Sequence, residues 1–467
     1  MSISSSMYTC MSSLFCLGTK IEVLADNLAN IDTTGFRASS VSFEDVLSQA
    51  TSTSGVRLSP EGPTSDFSKQ GSTEPSNGVT DMAISGDGFF ILRDKDDTSS
   101  TYYTRAGEFV FDSEGYLVNP WGHIVQGYAF DNQGTEGTTL ADIQLELTTP
   151  QPTANDPDPA PRLISAPSAS TRLTVISNID AGALDHSPGG LFASWDATNA
   201  VPISSDYYEL RAEHHIYDSS GDRKSIEVYY DRTAQDSTWE YLVTSPPEGT
   251  GTAPEDGVLA RGTITFDSYG YISAMTIENY QGGAWTPGTP NDDGYLTFQT
   301  PFAGAGTIEF DVGVTYVDGN WLCDTLTTTQ FGYGSYTQYS NTDGYGEGDL
   351  IDFSVTTDGI IRARFDNGVI SDLFRVGLAN STDPSSRLRR VGSTLYQADS
   401  PESGELITGA PGSSGLGMIT GNSLEKSNVD LAQQFGELIF AQRALQANAK
   451  GIVAADEMIK TAMGLKR

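Results

Sequence analysis

The stretch from Asp430 to Arg467, DLAQQFGELIFAQRALQANAKGIVAADEMIKTAMGLKR, decides the fold because it predicts one long helix in a chain otherwise rich in short β-type segments. Its apolar positions step by four and three residues, which is the spacing of a coiled-coil seam. A helix of this length is a rod of roughly 57 Å, too long for one small domain to cover. The helix is therefore predicted to need a partner. The seam residues are Leu431, Phe435, Leu438, Leu445, Ile452, Ile459 and Met463.

A second stripe with the same spacing lies at the other end of the chain. It predicts a helix from about residue 4 to residue 30, and its apolar members are Met7, Met11, Leu14, Ile21 and Leu28. The two stripes allow an antiparallel pair that caps a globular domain, or helices that assemble with those of other copies. Assembly is favoured, because a lone pair buries few side chains against the entropy of ordering both segments.

The net charge of −35 lies almost entirely between the two helical ends. Residues 1–37 carry a net −1 and residues 427–467 carry a net +1, so the acidic excess belongs to residues 38–426. Near-neutral ends suit packing against identical copies, whereas an acidic middle suits a solvated outer surface. Binding to nucleic acid is disfavoured, because attraction to phosphate requires the opposite sign.

The middle of the chain predicts several domains built from short strands. Asp and Gly recur between β-favouring residues, as in FVFDSEGYLV (109–118), ITFDSYGYIS (264–273), NDDGYLTF (291–298), NTDGYGEG (341–348) and SVTTDGIIRARFDNGVI (354–370), and these segments are typical of hairpin turns. Many short strands at this spacing favour all-β domains of sandwich or barrel type. The fold class is therefore predicted to be mainly β and multi-domain, with coiled-coil helices at both ends.

The residues offer no catalytic or cofactor site. His214 and His215 are adjacent on a predicted strand, so their side chains point to opposite faces and make a poor metal chelate. Three cysteines make no disulfide framework. We expect no enzyme activity, cofactor, metal or membrane span, and the absence of a cleavable leader pattern implies another export route for a surface protein.

The stretch DNLANIDTTGFRAS (26–39) resembles the N-terminal signature of the bacterial flagellar rod and hook axial proteins. Later segments are similar to other blocks of that family in the same order, among them DMAISGDGFFIL (81–92), YTRAGEFVFDSEGYLVNPWGHIVQGY (103–128) and the segment 424–458. The signature positions here are Asn27, Ala29, Asn30, Thr33, Gly35, Phe36 and Arg37.

The resemblance also covers the large insertion in the middle. Residues 171–329 look like the inserted outer domain of hook members, which the shorter rod members lack. The resemblance therefore implies a structural subunit of the flagellar hook, located outside the cell above the basal body. A distal-rod or other basal-body axial protein is the alternative.

The resemblance implies an inner tube of terminal helices, a discontinuous middle β domain and an inserted outer β domain. It further implies a curved, flexible tube that passes torque from rod to filament as a universal joint and serves as an export channel. The implied partners are copies of the chain itself, the flagellar rod, hook-cap and hook–filament junction proteins, and the type III export apparatus. The predicted division is an N-terminal helix (1–32), an extended connector (33–77), the middle β domain in two parts (78–150 and 330–426), a Pro-rich linker (151–170), the acidic outer domain (171–329) and a C-terminal helix (427–467).

Overall fold

The computed structural model describes residues 3–48, 53–97, 100–131, 134–149, 160–245, 252–381, 383–398 and 406–464. The chain divides into two compact units. The terminal unit contains residues 1–163 and 350–467, and the inserted unit contains residues 164–349. The prediction of a mainly β, multi-domain chain with a long helix at each end is confirmed.

The helices and strands have the following bounds. The helices are α1 (Ile3–Ala29), the short α2 (Pro384–Arg387) and α3 (Leu431–Gly464), with 3-10 turns at Leu191–Ser194 and Ser205–Tyr207. The first strands are β1 (Ser39–Ser48), β2 (Thr53–Ser65), β3 (Thr73–Pro75), β4 (Met82–Ser85), β5 (Phe89–Arg93), β6 (Thr101–Thr104), β7 (Val110–Phe111), β8 (Leu117–Val118), β9 (Ile124–Ala129) and β10 (Ala141–Asp142). The next are β11 (Ile164–Ser165), β12 (Arg172–Asp180), β13 (Leu210–Tyr217), β14 (Arg223–Arg232), β15 (Thr238–Thr244), β16 (Val258–Phe266), β17 (Ile272–Met275), β18 (Glu278–Gln281), β19 (Ala284–Pro287), β20 (Leu296–Gln299), β21 (Thr307–Asp311), β22 (Val314–Val317), β23 (Asn320–Cys323), β24 (Thr329–Phe331) and β25 (Tyr336–Thr342). The last are β26 (Gly348–Val355), β27 (Ile360–Phe365), β28 (Ile370–Val376), β29 (Leu378–Asn380), β30 (Leu388–Gly392), β31 (Leu395–Ala398), β32 (Ile407–Gly409), β33 (Met418–Gly421) and β34 (Ser423–Glu425).

The terminal unit is built on one antiparallel sheet in the order β26-β27-β28-β9-β5-β6-β31-β30. Three smaller pairs, β1–β2, β3–β34 and β4–β33, lie outside that order. Phe90, Leu92, Val125, Ile361 and Leu378 form part of its apolar core and are almost fully buried. Because β34 ends six residues before α3 begins, this β unit positions the start of the C-terminal helix.

The inserted unit contains two larger sheets. In one, β12 pairs in parallel with β21 and β24 and antiparallel with β25, and β20 pairs with β21. The other is antiparallel in the order β13-β14-β15-β16-β18-β19, with β17 beside β16. The main apolar core of the inserted unit takes residues from both sheets. It includes Trp239, Tyr241, Phe298 and Phe310, which are fully or nearly fully buried.

Three of the five predicted Asp/Gly segments join paired strands. They are the segment between β7 and β8, the segment between β16 and β17, and the segment 354–370, whose two turns join β26 to β27 and β27 to β28. The hairpin prediction is wrong for 291–298 and 341–348, whose flanking strands pair with other partners. In the second of these, the Asp343 carboxylate instead accepts hydrogen bonds from the backbone N–H groups of Thr171 and Arg172.

The structure places three domain boundaries differently from the sequence prediction. The predicted connector 33–77 contains the hairpin β1–β2, whose strands pair along most of their length. The predicted linker 151–170 falls partly outside the described residues, and its end is folded: Ser170 is fully buried. The insertion ends near residue 349 instead of 329, because β24 and β25 both pair with β12.

Candidate assembly site

The two long helices pack against each other in antiparallel orientation. The side-chain amide of Asn27 donates to the Gln434 side-chain oxygen at 3.0 Å, and Lys20 Nζ lies 3.2 Å from Glu437 Oε2. Further along, Gly451 faces Cys10, since a methyl group at Gly451 would lie 3.1 Å from the Cys10 sulfur. The numbers rise along one helix as they fall along the other, which defines the antiparallel pairing.

The contacting faces are displaced by one residue from both predicted seams. On α3 the face runs through Gln434, Glu437 and Gly451, each one position before a predicted seam position. On α1 it runs through Cys10, Lys20 and Asn27, again one position before Met11, Ile21 and Leu28. One residue is a rotation of about 100°, so the predicted seams face to the side of the intrachain contact.

Small side chains explain the displacement. Ala441 and Ala455 are almost fully buried on α3 and continue the spacing of the contacting face, as does Gly451. Small residues let two helix backbones approach closely, so this face packs well without large apolar side chains. The larger side chains are left on the neighbouring faces.

Many of those large apolar side chains are exposed. Of the predicted seam residues, Met11, Leu431, Phe435 and Met463 are exposed, and Met7, Leu14, Ile21, Leu28, Leu438, Leu445, Ile452 and Ile459 are half-buried. Further exposed apolar residues on the two helices are Tyr8, Phe15, Ile439, Phe440, Val453 and Met458. Soluble monomers rarely expose large contiguous apolar surface, and such a surface marks an interaction site.

The hairpin β1–β2 packs along α1. The Cys16 thiol donates to the Val56 carbonyl at 3.5 Å, and the Val56 N–H donates to the Ser12 hydroxyl at 3.4 Å. Burial raises the pKa of the Cys16 thiol, which keeps it uncharged in this contact. The N-terminal helix is therefore held by the hairpin as well as by α3.

The family signature begins at the end of α1. Asn27 is almost fully buried and exchanges two hydrogen bonds of 2.8 Å with the backbone of Ser39. Asn30 donates to the Asp26 carbonyl at 2.8 Å and accepts from the Thr33 hydroxyl at 3.1 Å, closing the turn. Ala29 is the last residue of α1 and is exposed.

The second half of the signature leads the chain from α1 into the β-strands of the terminal unit. Gly35 has a φ of +67°, and its N–H donates to the Glu425 carbonyl at 2.7 Å. Phe36 is 1% exposed, and the Arg390 guanidinium lies 4.7 Å from the centre of its ring. These contacts connect a segment near the N-terminus to one close to α3.

Arg37 leads to a buried charged group. Arg37 Nη2 lies 2.7 Å from Glu425 Oε1, and Arg105 Nη1 lies 3.3 Å from Glu425 Oε2. All three side chains are at least 96% buried. We call Gly35, Arg37, Arg105 and Glu425 the anchor cluster.

The anchor cluster holds two positive charges and one negative charge. Within the described residues, the Nε atoms of Arg37 and Arg105 are buried without a hydrogen-bond partner. The pKa of the Arg105 guanidinium falls to about 10, because burial disfavours its charge and the Glu425 carboxylate offsets only part of that effect, while Arg37 adds to it. Glu425 is therefore the one carboxylate on which both guanidinium groups depend.

Sequence reasoning did not predict the long-range contacts of Glu425, Arg105 or Asn428. Asn428 accepts from the Ala38 N–H at 2.6 Å and donates to the carbonyl groups of Asp66 and Lys69. Each of the three lies in a segment that resembles a family block, which was the available signal. Their partners are hundreds of residues away, so no local spacing reveals the contacts.

Replacing Gly35 by alanine is expected to destabilise the terminal unit by at least about 2 kcal/mol. The left-handed backbone alone costs a non-glycine residue roughly 1–2 kcal/mol, and the new methyl group would lie 2.3 Å from the Ala106 nitrogen. Thermal or urea unfolding of the full chain measures the effect. The control is Gly18→Ala in α1, where no atom lies within 4 Å and helix propensity predicts a gain of up to about 1 kcal/mol. Equal changes in the free energy of unfolding for Gly35→Ala and Gly18→Ala would contradict the prediction.

The two adjacent histidines lie on β13 in the inserted unit. His214 is buried and its Nδ1 lies 2.7 Å from the Ser340 hydroxyl, whereas His215 is half-buried. Among the described residues, no three His, Cys, Asp or Glu side chains converge in a metal-binding arrangement. Likewise, none of the helices described has an apolar run sufficient to cross a membrane.

The stability of the inserted unit is expected to fall as the pH drops from about 6.5 to about 4. Burial, with a smaller effect of His215, lowers the pKa of His214 from 6.5 to about 4. The folded state therefore keeps His214 neutral while the unfolded chain takes up a proton, a loss of roughly 3 kcal/mol over this window. Unfolding of full-length His214→Gln between pH 6.5 and pH 4.5 should show a shallower slope than wild type. His215→Gln, at the half-buried neighbour whose pKa is also lowered by burial, should change the slope less than His214→Gln, and an unchanged slope in His214→Gln would refute the assignment.

Comparison with known proteins assigns the family. Models of four flagellar families match the chain: Flagella basal body rod protein at residues 7–37, the Flagellar hook protein FlgE/F/G D1 domain at 83–175, the Flagellar basal body protein FlaE D2 domain at 184–345 and the Flagellar basal body rod FlgEFG protein C-terminal at 420–465. The flagellar hook protein FlgE of Rhizobium meliloti is 28% identical over 474 residues, which span the whole of both chains. The chain belongs to the flagellar hook protein family. As a member of that family it is a structural subunit of the hook of the bacterial flagellum.

Two further hook proteins are similar to this chain. FlgE of Borreliella burgdorferi is 28% identical over 480 residues, covering 99% of each chain. The crystal structure of Helicobacter pylori flagellar hook protein FlgE2 aligns with a TM-score of 0.42 and 16% identity, covering 76% of this chain and all of that one. Since the full-length relatives are hook proteins, the rod alternative is not favoured.

Proposed function

We propose that this hook family member polymerises through its terminal helices into a curved, flexible tube that acts as a universal joint and as an export channel. The observation that carries the proposal is the exposed apolar surface of α1 and α3. Met11, Phe15, Leu431 and Phe435 contact water in the single chain, and burying such side chains contributes about 1.5–3 kcal/mol each. Packing against helices of neighbouring copies supplies that burial.

The two parts of the chain have different tasks in this proposal. Helices locked in an inner tube resist twist, because their near-neutral, apolar faces pack closely. The inserted unit lies at the outer surface of the tube, where water accommodates its 26 acidic and 6 basic residues, a net −20. Polar, hydrated contacts between such units allow them to slide as the tube bends.

The remaining partners follow from the position of a hook subunit. The tube joins the rod at one end, and cap and junction proteins at the other. Subunits reach it unfolded through the type III export apparatus. Cys10, Cys16 and Cys323 form no disulfide, which is compatible with passage of an extended chain.

Immunogold electron microscopy of isolated hook–basal bodies tests the proposal. Antibody raised against residues 171–329 should place gold along the short curved segment, which locates the subunit and shows that the insertion faces outward. Gold confined to the straight rod below the hook would show that the chain is an enlarged rod protein, and it would contradict the universal-joint function. Antibody against the terminal-helix segment 431–464 is the control, because an inner-tube location predicts weak labelling of intact hooks.

A further inference from the structure

The inserted unit carries a row of aromatic side chains, four exposed tyrosines and one half-buried phenylalanine. Its members are Tyr269, Tyr271, Phe331, Tyr333 and Tyr336, which we call the tyrosine row. The ring centres of Tyr271 and Phe331 are 6.0 Å apart, those of Phe331 and Tyr333 are 6.0 Å apart, and those of Tyr333 and Tyr336 are 6.5 Å apart. The four tyrosines are 43–78% exposed, so the row is a surface and not part of a core.

The scaffold beneath the row is well defined. The turn that carries Tyr269 and Tyr271 is closed by the Asp267 carboxylate, which accepts from both of their N–H groups at 2.8 and 3.0 Å. That turn is tied to β24 by a hydrogen bond of 2.9 Å from the Gln330 N–H to the Gly270 carbonyl. The aromatic rings are therefore presented by paired backbone and not by one loose loop.

Charge sets this surface apart from the rest of the unit. Residues 325–342, TLTTTQFGYGSYTQYSNT, contain no charged side chain, the longest such run in a unit whose net charge is −20. Enrichment in tyrosine and depletion of charge are the composition of an interface core. Tyrosine also gives large contact area at low entropic cost, with a hydroxyl that stays hydrated.

The distribution of charge on the inserted unit indicates which kind of partner binds the tyrosine row. A basic partner would be drawn to the acidic surface, whereas a second copy of the same acidic unit can approach most closely where carboxylates are few. We propose that the tyrosine row is the surface through which the inserted unit of one copy contacts the inserted unit of another. This inference rests on the proposed polymerisation, and it names the residues that touch between outer units.

Photo-oxidative coupling of tyrosines in assembled tubes tests the proposal. Full-length chains with normal and with heavy nitrogen are mixed, polymerised and briefly illuminated with a ruthenium bipyridyl complex and persulfate, which joins tyrosine rings in contact. Cross-linked peptides of mixed isotope content then report contacts between copies. We expect mixed peptides that join one tyrosine row to another.

Variants separate the row from other tyrosines. Tyr333→Phe with Tyr336→Phe keeps the rings but removes the phenols, so the mixed peptides containing residues 333 and 336 should be lost. Tyr207→Phe, which changes an exposed tyrosine of the same unit outside the row, should leave them unchanged. Tubes whose row tyrosines couple only within a copy, or only to residues outside the inserted unit, overturn the inference and leave the proposed function standing. A full-length chain that forms no tubes overturns the proposed function, and the inference with it.

Discussion

Replacing Glu425 by glutamine is expected to lower the free energy of unfolding of the terminal unit by about 3–5 kcal/mol. The carboxylate is fully buried between Arg37 and Arg105, and it also accepts from the Gly71 N–H at 2.9 Å. Glutamine removes the negative charge and leaves two guanidinium groups close together in a dry site. Because hydration cannot replace the lost partner, the cost is the desolvation of uncompensated charge. Denaturant unfolding of the full chain measures it.

Two comparison variants show whether charge is the cause. Glu74→Gln removes an exposed carboxylate that lies 3.4 Å from Lys426, the residue that follows Glu425. This change should lower the free energy of unfolding by no more than about 1 kcal/mol. Arg105→Met removes one of the two positive charges and leaves a one-to-one pair, so it should cost less than Glu425→Gln. A loss from Glu425→Gln no larger than that from Glu74→Gln would show that the buried pairing contributes little.

Removing residues 450–467 is expected to abolish tube formation while both β units remain folded. The deletion removes the second half of α3, including the contact of Gly451 with Cys10 and the exposed Val453, Met458 and Met463. No residue of the described apolar cores of the β units lies in the deleted segment. Electron microscopy measures polymerisation, and circular dichroism with thermal unfolding measures the fold. A truncated chain that still forms tubes would refute the assembly role of α3.

A point substitution separates lost contacts between copies from the lost intrachain pairing. Phe435 is half exposed and lies beside the face that contacts α1, so Phe435→Ser should leave the stability of the single chain nearly unchanged. Losing about 1.5–3 kcal/mol of apolar burial per subunit should raise the concentration needed for polymerisation roughly 10- to 100-fold. Gln446→Ser, at an exposed polar position of the same helix, is the control and should polymerise normally.

The helices and the β character were predictable because they depend on local pattern. Four-and-three spacing predicted α1 and α3, and three of the five Asp/Gly segments form the hairpin turns that they predicted. The face used within the chain was not predictable from hydrophobicity. Close packing selected Ala441, Gly451 and Ala455, and left larger residues such as Phe435 outside the contact.

Contacts between distant segments account for the other differences. The insertion was predicted to end at residue 329, but β24 pairs in parallel with the end of β12, about 150 residues earlier, and such pairing leaves no local trace in the sequence. The contact between Arg37 and Glu425 was not predicted for the same reason. Arg37 was singled out only as a position of the family signature, and nothing near it in the sequence indicates Glu425 as its partner.

The pairing of Asn27 with Gln434 joins residues that are 407 positions apart. During synthesis α1 emerges first, yet its helical partner and Glu425 are among the last segments to appear. The loop that this pairing closes spans 407 positions, so it carries a cost in loop-closure entropy, and we expect the pairing to form late in folding. A chain terminated before α3 has no completed pair of helices, so we expect such a chain to be left out of the proposed polymer.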